Sequence, residues 1–146
     1  MKRDNNFENF AHEAQQYFDH LAGDLEHPQE KVRVIKVWKA VLHSIRDRIH
    51  FGEAFQFMQP LPTILKGMYA ENWEYLEQPK YDYKTLEEMK TQVKQLQNEL
   101  GEDEFPWKKS TEEIIAITLL SLRNYLPENK LSKIKNQLPK EIQQYL

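Results

Sequence analysis

The sequence has no cysteine and little glycine or proline. Its 146 residues include 4 glycines and 7 prolines. Without cysteine there are no disulfides, thiolate nucleophiles, iron–sulfur clusters or thiolate-bound zinc. The few glycines leave no glycine-rich phosphate loop, and no serine lies in the small-residue turn that serine hydrolases use. A chain with 40% hydrophobic residues and so few helix breakers is expected to fold, mostly into helices.

Long apolar runs and a strong charge of one sign are also missing. No stretch approaches the roughly 18 apolar residues of a membrane span, and the amino terminus has no apolar signal segment. The 20 basic and 23 acidic residues give a net charge of −3. This balance argues against a nucleic-acid coat protein or a polybasic membrane binder. We therefore expect a soluble, cytoplasmic protein with no membrane partner.

An internal repeat organises the chain at an offset of 77 residues. Residues 37–69 align without a gap on residues 114–146, and the apolar positions of both segments recur at the same helical spacing. The identical pairs are Leu42 and Leu119, Ser44 and Ser121, Arg46 and Arg123, Leu61 and Leu138, and Pro62 and Pro139. The repeat predicts the same four-helix unit twice.

The expected fold is all-α, with about eight helices. The predicted helices cover residues 5–22, 28–49, 52–58, 61–69, 85–100, 110–125, 127–136 and 139–146. Gly23 and Gly101 are expected to end helices in the left-handed conformation, and Pro28 to begin one. The second predicted helix has two adjacent apolar rows, which indicates a central position with neighbours on two sides.

Two helix starts in the second half carry a capping signal. Thr85 with Glu88, and Ser110 with Glu113, match the S/T-x-x-E pattern of the capping box. In this motif each of the two side chains accepts a hydrogen bond from a backbone N–H that the helix leaves unpaired. Both residue pairs are therefore expected to begin helices.

A half of some 70 residues would have a thin core on its own. We therefore expect residues 1–146 to form a single domain, in which two pseudo-symmetric four-helix units, 5–70 and 85–146, share one core. Residues 71–84 are predicted to be an extended linker, pinned by its tyrosines and by Trp73. Phe51, Phe55, Phe57, Met58 and Met68 are expected to fill core between the third and fourth helices.

Basic side chains line one side of the second predicted helix. At 100° per residue they fall within about 80° of each other, opposite the apolar stripe. This basic ridge consists of Lys36, Lys39, His43, Arg46 and His50. It predicts contact with an acidic protein partner or an anion, unless it only complements the acidic first helix. Arg46 and its repeat mate Arg123 are expected to bind equivalent anions or, as we favour, to cap equivalent loops.

Chemistry at the histidines is an alternative hypothesis. His43, Asp47 and His50 are the candidates for a metal-dependent or small-ligand enzyme. However, no two histidines lie one helical turn apart, and His43 and His50 are not repeated in the second half. The sequence therefore predicts no catalytic residue, no metal site and no cofactor, although the histidine hypothesis stays open.

Nucleic-acid binding is a second alternative. The prolines at 62 and 139 could each precede a DNA-reading helix, but apolar residues such as Ile64, Leu65 and Ile142 follow them. Few polar side chains are left there to contact base edges. We expect at most weak binding of nucleic acid.

Two segments of the first half match a known family. Residues 40–49, AVLHSIRDRI, are followed by Leu61-Pro62, by LKGMY at 65–69 and by Trp73. These segments resemble the prokaryotic family known as domain of unknown function 2267. In that family a degenerate second copy similarly follows, which here corresponds to residues 119–123 and 137–139. The resemblance implies an all-helical domain whose activity is unassigned, and it supplies no catalytic residue.

The leading functional hypothesis is a non-enzymatic interaction or adaptor domain. Its contact surface would be the basic ridge, with Arg123 as a related position in the second half. The expected partner is another protein, and both a monomer and a homodimer fit the sequence.

Overall fold

The computed structural model of the chain is mainly helical. It describes the backbone of residues 2–102 and 104–146 and their side chains from residue 6 onward. The α-helices are α1 (Lys2–Asp24), α2 (Lys31–Arg46), α3 (Phe51–Met58), α4 (Thr63–Tyr69), α5 (Leu86–Glu99), α6 (Thr111–Ser121) and α7 (Glu128–Lys135). A 3-10 helix, η1 (Lys140–Tyr145), follows them. The described ranges contain no strand, so the predicted all-α fold is confirmed.

α2 lies at the centre of the bundle, as its two apolar rows predict. It packs against α1, α3, α4, α5 and α6. Val34, Val37, Trp38 and Val41 are all fully buried. A helix that is apolar over nearly half of its surface needs neighbours on more than one side. The position of α2 therefore follows from its sequence.

The other helices pack in a similar way within each half. In the first half, α1 packs on α2 and α4, and α4 packs on α2. In the second half, α5 packs on α6 and η1, and η1 packs on α6. Between the halves, α1 contacts α6, α2 contacts α5 and α6, and α3 contacts α7. A single cluster of buried apolar side chains includes residues of both halves.

The predicted capping boxes are confirmed at the starts of α5 and α6. The Thr85 hydroxyl accepts a hydrogen bond from the Glu88 N–H at 3.1 Å, and the Ser110 hydroxyl accepts one from the Glu113 N–H at 3.2 Å. In each motif the glutamate in turn accepts from the backbone N–H of the capping residue. Gly101 follows α5 with a φ of 81°, the left-handed conformation that the sequence predicted.

The predicted end of α1 is wrong. Gly23 lies inside the helix, and the left-handed residue is Glu26, with a φ of 65°. Leu25 is fully buried, so the chain reaches the core at that residue before it turns. Burial of Leu25 therefore places the turn on a residue that has a side chain, rather than on the nearby glycine.

The predicted start of α2 is wrong as well. Pro28 is the second residue of a turn that closes with a hydrogen bond from the Glu30 N–H to the His27 carbonyl oxygen at 3.0 Å. A proline fits this position because its φ is already fixed near the required value. The helix begins three residues later, at Lys31.

The linker, residues 71–84, runs along the carboxyl end of α2. The buried Tyr83 donates its hydroxyl hydrogen to the Ser44 carbonyl oxygen at 3.0 Å, and Arg48 Nε donates to the Tyr83 carbonyl oxygen at 2.7 Å. The backbone N–H of Tyr81 donates to the Asp47 carbonyl oxygen at 3.0 Å. These contacts attach the second part of the linker to the central helix.

Candidate functional site

Arg46 is a buried cation at the junction of α2, α4 and the linker. Arg46 is 4% exposed to solvent. One guanidinium nitrogen donates to the Tyr69 carbonyl oxygen at 2.5 Å and to the Glu71 carbonyl oxygen at 2.9 Å. The other two donate to the Asp47 carboxylate at 2.9 and 3.0 Å. Carbonyls at a helix end carry partial negative charge, so Arg46 has the geometry of a cap for α4.

Two more residues of the basic ridge contact the same helix end. His43 Nε2 donates to the Met68 carbonyl oxygen at 2.9 Å. Burial lowers the pKa of His43 below its ordinary value, and the positive charge of Arg46 lowers it further. Lys39 Nζ lies 3.1 Å from a carboxylate oxygen of Glu71. The structure thus brings Lys39, His43 and Arg46 together around the carboxyl end of α4.

Lys36 lies elsewhere. Its Nζ is 3.3 Å from one oxygen of Glu102, whose other oxygen lies 2.5 Å from Arg33 Nη1. The carboxylate of Glu102 is 3% exposed, so these cations hold the loop after α5 against α2.

Arg123 occupies a third place, at the other end of the second half. It is exposed and donates to the Gln144 carbonyl oxygen at 3.2 Å. The predicted site residues therefore lie in three separate places, and the four on α2 contact groups of the same chain.

The histidine hypothesis finds little support in the geometry. His43 faces a carbonyl oxygen, and Asp47 accepts both of its side-chain hydrogen bonds from Arg46. His50 precedes α3, where its backbone N–H donates to Gln137 Oε1 at 2.9 Å. In the ranges that the structure describes, no three histidine or carboxylate side chains are placed to hold a metal ion.

An exposed aromatic surface covers the Arg46 site. The Phe51 ring lies 4.8 Å from the Trp73 ring and 5.1 Å from the Tyr75 ring, measured between centroids. Phe55 follows Phe51 by one helical turn, and Leu76 lies with Phe51 and Trp73 at a small depression. We call Phe51, Phe55, Trp73, Tyr75 and Leu76 the aromatic face.

This face corrects one sequence-based expectation. Phe51 and Phe55 were predicted to lie in the core, but both are exposed. The buried residues of the short helix α3 are Ala54 and Phe57, which lie on its other side. Ala54 and Phe57 are three residues apart, a spacing that places both on one side of a helix and so indicates the buried side. The number of phenylalanines in this segment made that spacing hard to recognise.

The aromatic face is attached to the capped end of α4. The Trp73 ring lies 5.6 Å from the Tyr69 ring, and the Arg46 guanidinium lies 5.5 Å from the Trp73 centroid. Tyr69 itself is fully buried and donates its hydroxyl hydrogen to the Ala54 carbonyl oxygen at 2.8 Å. Trp73, against which the exposed Phe51 ring packs, therefore rests on a hydrogen-bonded base.

Acidic residues surround the face on the linker side. Residues 71–79 contain Glu71, Glu74 and Glu77 and no basic residue. All three are exposed, and Glu71 is the one that contacts Lys39. The face is thus apolar at its centre and negative along this edge.

Comparison with known proteins places the chain in a family. None of the helices in the described ranges is long and apolar enough to cross a membrane. A search of curated proteins finds no match to the chain. The family described as "Uncharacterized conserved protein (DUF2267)" matches residues 12–145. The match covers nearly the whole chain and confirms the resemblance seen in the sequence. The chain belongs to the DUF2267 family.

Proposed function

We propose that the protein is a non-enzymatic, cytoplasmic protein-interaction module whose contact surface is the aromatic face. The observation that carries this proposal is the exposure of four large apolar side chains beside one another. Tyr75 is 68% exposed, Leu76 45%, Phe55 43% and Phe51 37%. Adjoining exposed apolar side chains can mark a site of interaction with another protein.

The residue types of the face are those that stabilise protein interfaces. Aromatic side chains are enriched at interface centres, and tryptophan and tyrosine often carry much of the binding energy. Trp73 is already packed on Arg46 and Tyr69, so little conformational freedom would be lost at this ring on binding. An aromatic surface of this kind supports binding rather than catalysis.

The charge beside the face indicates the chemistry of the partner. Glu74 and Glu77 are exposed next to Tyr75 and Leu76 in the sequence. A complementary segment has apolar side chains at its centre and lysine or arginine on its flanks. We therefore take the partner to be a protein with such a basic, apolar segment.

The basic ridge supports this surface rather than forming it. Lys39, His43 and Arg46 bind the end of α4 on which Trp73 rests, and Lys36 binds Glu102. Their side chains are engaged within the chain, so an acidic partner would have to displace existing contacts. We propose that Arg123 plays the corresponding supporting role at η1.

Selection from a random peptide display library on the immobilised full chain tests the proposal. We expect the selected peptides to combine leucine or phenylalanine with lysine or arginine. Fluorescence anisotropy then measures their affinity in solution. The double variant Phe55→Gln, Tyr75→Ala is expected to bind at least about tenfold more weakly, because it removes two contact rings.

Phe7→Ala is the matched control. Phe7 is 75% exposed on α1, so this variant loses an equally accessible ring outside the face and is expected to keep full affinity. Acidic selected peptides, or equal affinity for the double variant, contradict the proposal. So does a dimer in sedimentation that the double variant loses, because the face would then hold a second copy of the chain.

We also propose that the two halves are pseudo-symmetric units with a shared core. In this scheme α1 corresponds to α5, α2 to α6, α3 to α7 and α4 to η1. Four helix contacts then have a counterpart that also occurs: α1–α2 corresponds to α5–α6, α1–α4 to α5–η1, α2–α4 to α6–η1, and α2–α5 to α1–α6. Ser44 and Ser121 further donate to equivalent carbonyl oxygens, of Val41 at 2.7 Å and Thr118 at 2.5 Å. A shared core predicts one unfolding transition for the full chain, with hydrogen exchange slow in both halves; two separate transitions contradict it.

A further inference from the structure

A cleft lies between α5 and α6. Its walls are formed by α5, by the start of α6 and by residues between these helices, namely Glu102, Phe105, Pro106, Trp107 and Lys109. The cleft has a volume of about 620 Å³, within the range of about 300–1,000 Å³ that is typical of small-molecule sites. It does not include any residue of the aromatic face.

Lysines outnumber carboxylates among the described residues that line this cleft. Lys90 and Lys94 lie one turn apart on α5, and Lys109 approaches from the loop before α6. Lys90 and Lys109 each contact an exposed carboxylate at 3.0 Å, those of Glu87 and Glu26. Such exposed pairs are weak and can exchange for a ligand.

One carboxylate also lines the cleft, but its charge is already balanced. Glu102 is bound by Arg33 and Lys36 on the side of α2. The lysines of the rim are therefore not needed to neutralise it. The cleft as a whole favours an anion over a cation.

An unpartnered polar side chain lies in the same cleft. Gln97 is 6% exposed and lines the cleft, and its amide makes no hydrogen bond to any residue in the described ranges. The indole N–H of Trp107, whose ring is also in the lining, likewise has no partner there. The Gln97 amide can therefore hydrogen-bond to a molecule in the cleft, and the buried indole N–H of Trp107 lacks the partner that such groups nearly always have.

The amino terminus of α6 opens onto the cleft beside these groups. Ser110 and Thr111 are in the lining. The capping box uses the N–H groups of Ser110 and Glu113, which leaves those of Thr111 and Glu112 for another acceptor. Backbone N–H groups at a helix start are suited to phosphate oxygens.

We propose that this cleft binds a phosphate-bearing small molecule of about nucleotide size. Its phosphate contacts Lys94, Lys109 and the start of α6, where cations and N–H donors converge. The Gln97 amide hydrogen-bonds to the ligand, and the ligand's apolar part packs on Phe105 and Trp107. The proposal is independent of the aromatic face and concerns a different ligand class.

Isothermal titration calorimetry with ADP and with inorganic phosphate tests the site on the full chain. We expect saturable binding at one site, tighter for ADP than for phosphate because only ADP reaches the aromatic rings. Lys94→Gln and Gln97→Leu are each expected to weaken ADP binding about tenfold or more. Lys94 is exposed, so the first variant keeps the fold, which circular dichroism checks.

Lys140→Gln is the control, because it removes one exposed lysine outside the cleft. It is expected to bind ADP as the unaltered chain does. The proposal is overturned if neither probe binds saturably, or if Lys94→Gln binds ADP with unchanged affinity. It is also overturned if Lys140→Gln weakens binding equally, since the interaction would then be diffuse charge attraction.

Discussion

Arg46 and Arg123 occupy the same position of the repeat in very different surroundings. Each donates to a carbonyl oxygen near the end of the short helix that closes its half, α4 or η1. Arg46 is buried and makes four hydrogen bonds, whereas Arg123 is exposed and, among the residues that the structure describes, makes a single bond at 3.2 Å. The same residue at matched positions can therefore contribute very differently to stability.

The linker accounts for much of the difference. Trp73 covers Arg46, and Asp47 compensates its charge inside the fold. In the second half, Arg123 is followed by Asn124 rather than an acidic residue. Within the described ranges no aromatic ring lies over the Arg123 guanidinium. Cover and charge compensation, rather than the arginine itself, make the first position a structural centre.

The largest expected effect on stability is the difference between replacing Arg46 and replacing Arg123. Arg46→Leu is expected to lower the free energy of unfolding by about 3–5 kcal/mol, because it leaves two carbonyls and the Asp47 carboxylate, whose side chain is 12% exposed, without partners. Arg123→Leu is expected to change it by less than about 0.5 kcal/mol, because its position is exposed. Urea denaturation at pH 7.5 measures both. Equal losses in the two variants would remove the distinction between the halves.

A smaller effect is expected at the helix starts, where the comparison is reversed. Ser110→Ala removes the capping box of α6 and is expected to cost about 1 kcal/mol. The corresponding helix α2 begins after Glu30, whose side chain makes no capping hydrogen bond. Glu30→Ala is therefore expected to change stability by no more than about 0.5 kcal/mol. Thermal unfolding of both variants checks this; a larger loss at Glu30 would show that α2 also depends on its first residue.

The smallest expected effect is a dependence on pH in mild acid that arises from His43 in the first half. Burial, followed by the charge of Arg46, lowers the pKa of His43 in the folded protein below its ordinary value of 6.5. The unfolded chain then binds more protons in mild acid, so this contribution to stability is complete above about pH 6.5 and is lost as the pH falls below it.

Replacing His43 by glutamine tests that contribution. His43→Gln removes the titrating group, and the repeat mate Leu120 has none. The free energy of unfolding of the unaltered chain is expected to fall more steeply than that of the variant between pH 7 and 5. Parallel curves for the two proteins would assign the acid sensitivity to other groups.

Local signals in the sequence predicted most of the fold. The helices, both capping boxes and the left-handed Gly101 follow from spacing and from individual side chains. The turn between α1 and α2 could not be predicted in the same way. Its position depends on where Leu25 meets the core, which is a tertiary contact. Local preference for glycine at position 23 was weaker than burial.

The candidate sites were less accessible to sequence reasoning. A helical wheel groups the basic ridge on one side of the second predicted helix, but it contains no information on the chain segments that cover this side. Lys39, His43 and Arg46 face the end of α4, about 25 residues further along the sequence. The cleft between α5 and α6 was missed because its lysines and Gln97 follow no recognised motif.

The chain's three tryptophans provide a spectroscopic map of these regions. Trp38 is fully buried and donates its indole N–H to the Tyr17 hydroxyl at 2.9 Å, so its emission reports on the core. Trp73 lies in the aromatic face, and Trp107 lies in the wall of the cleft. Variants that retain one tryptophan each would separate the signals of unfolding, partner binding and ligand binding without any added label.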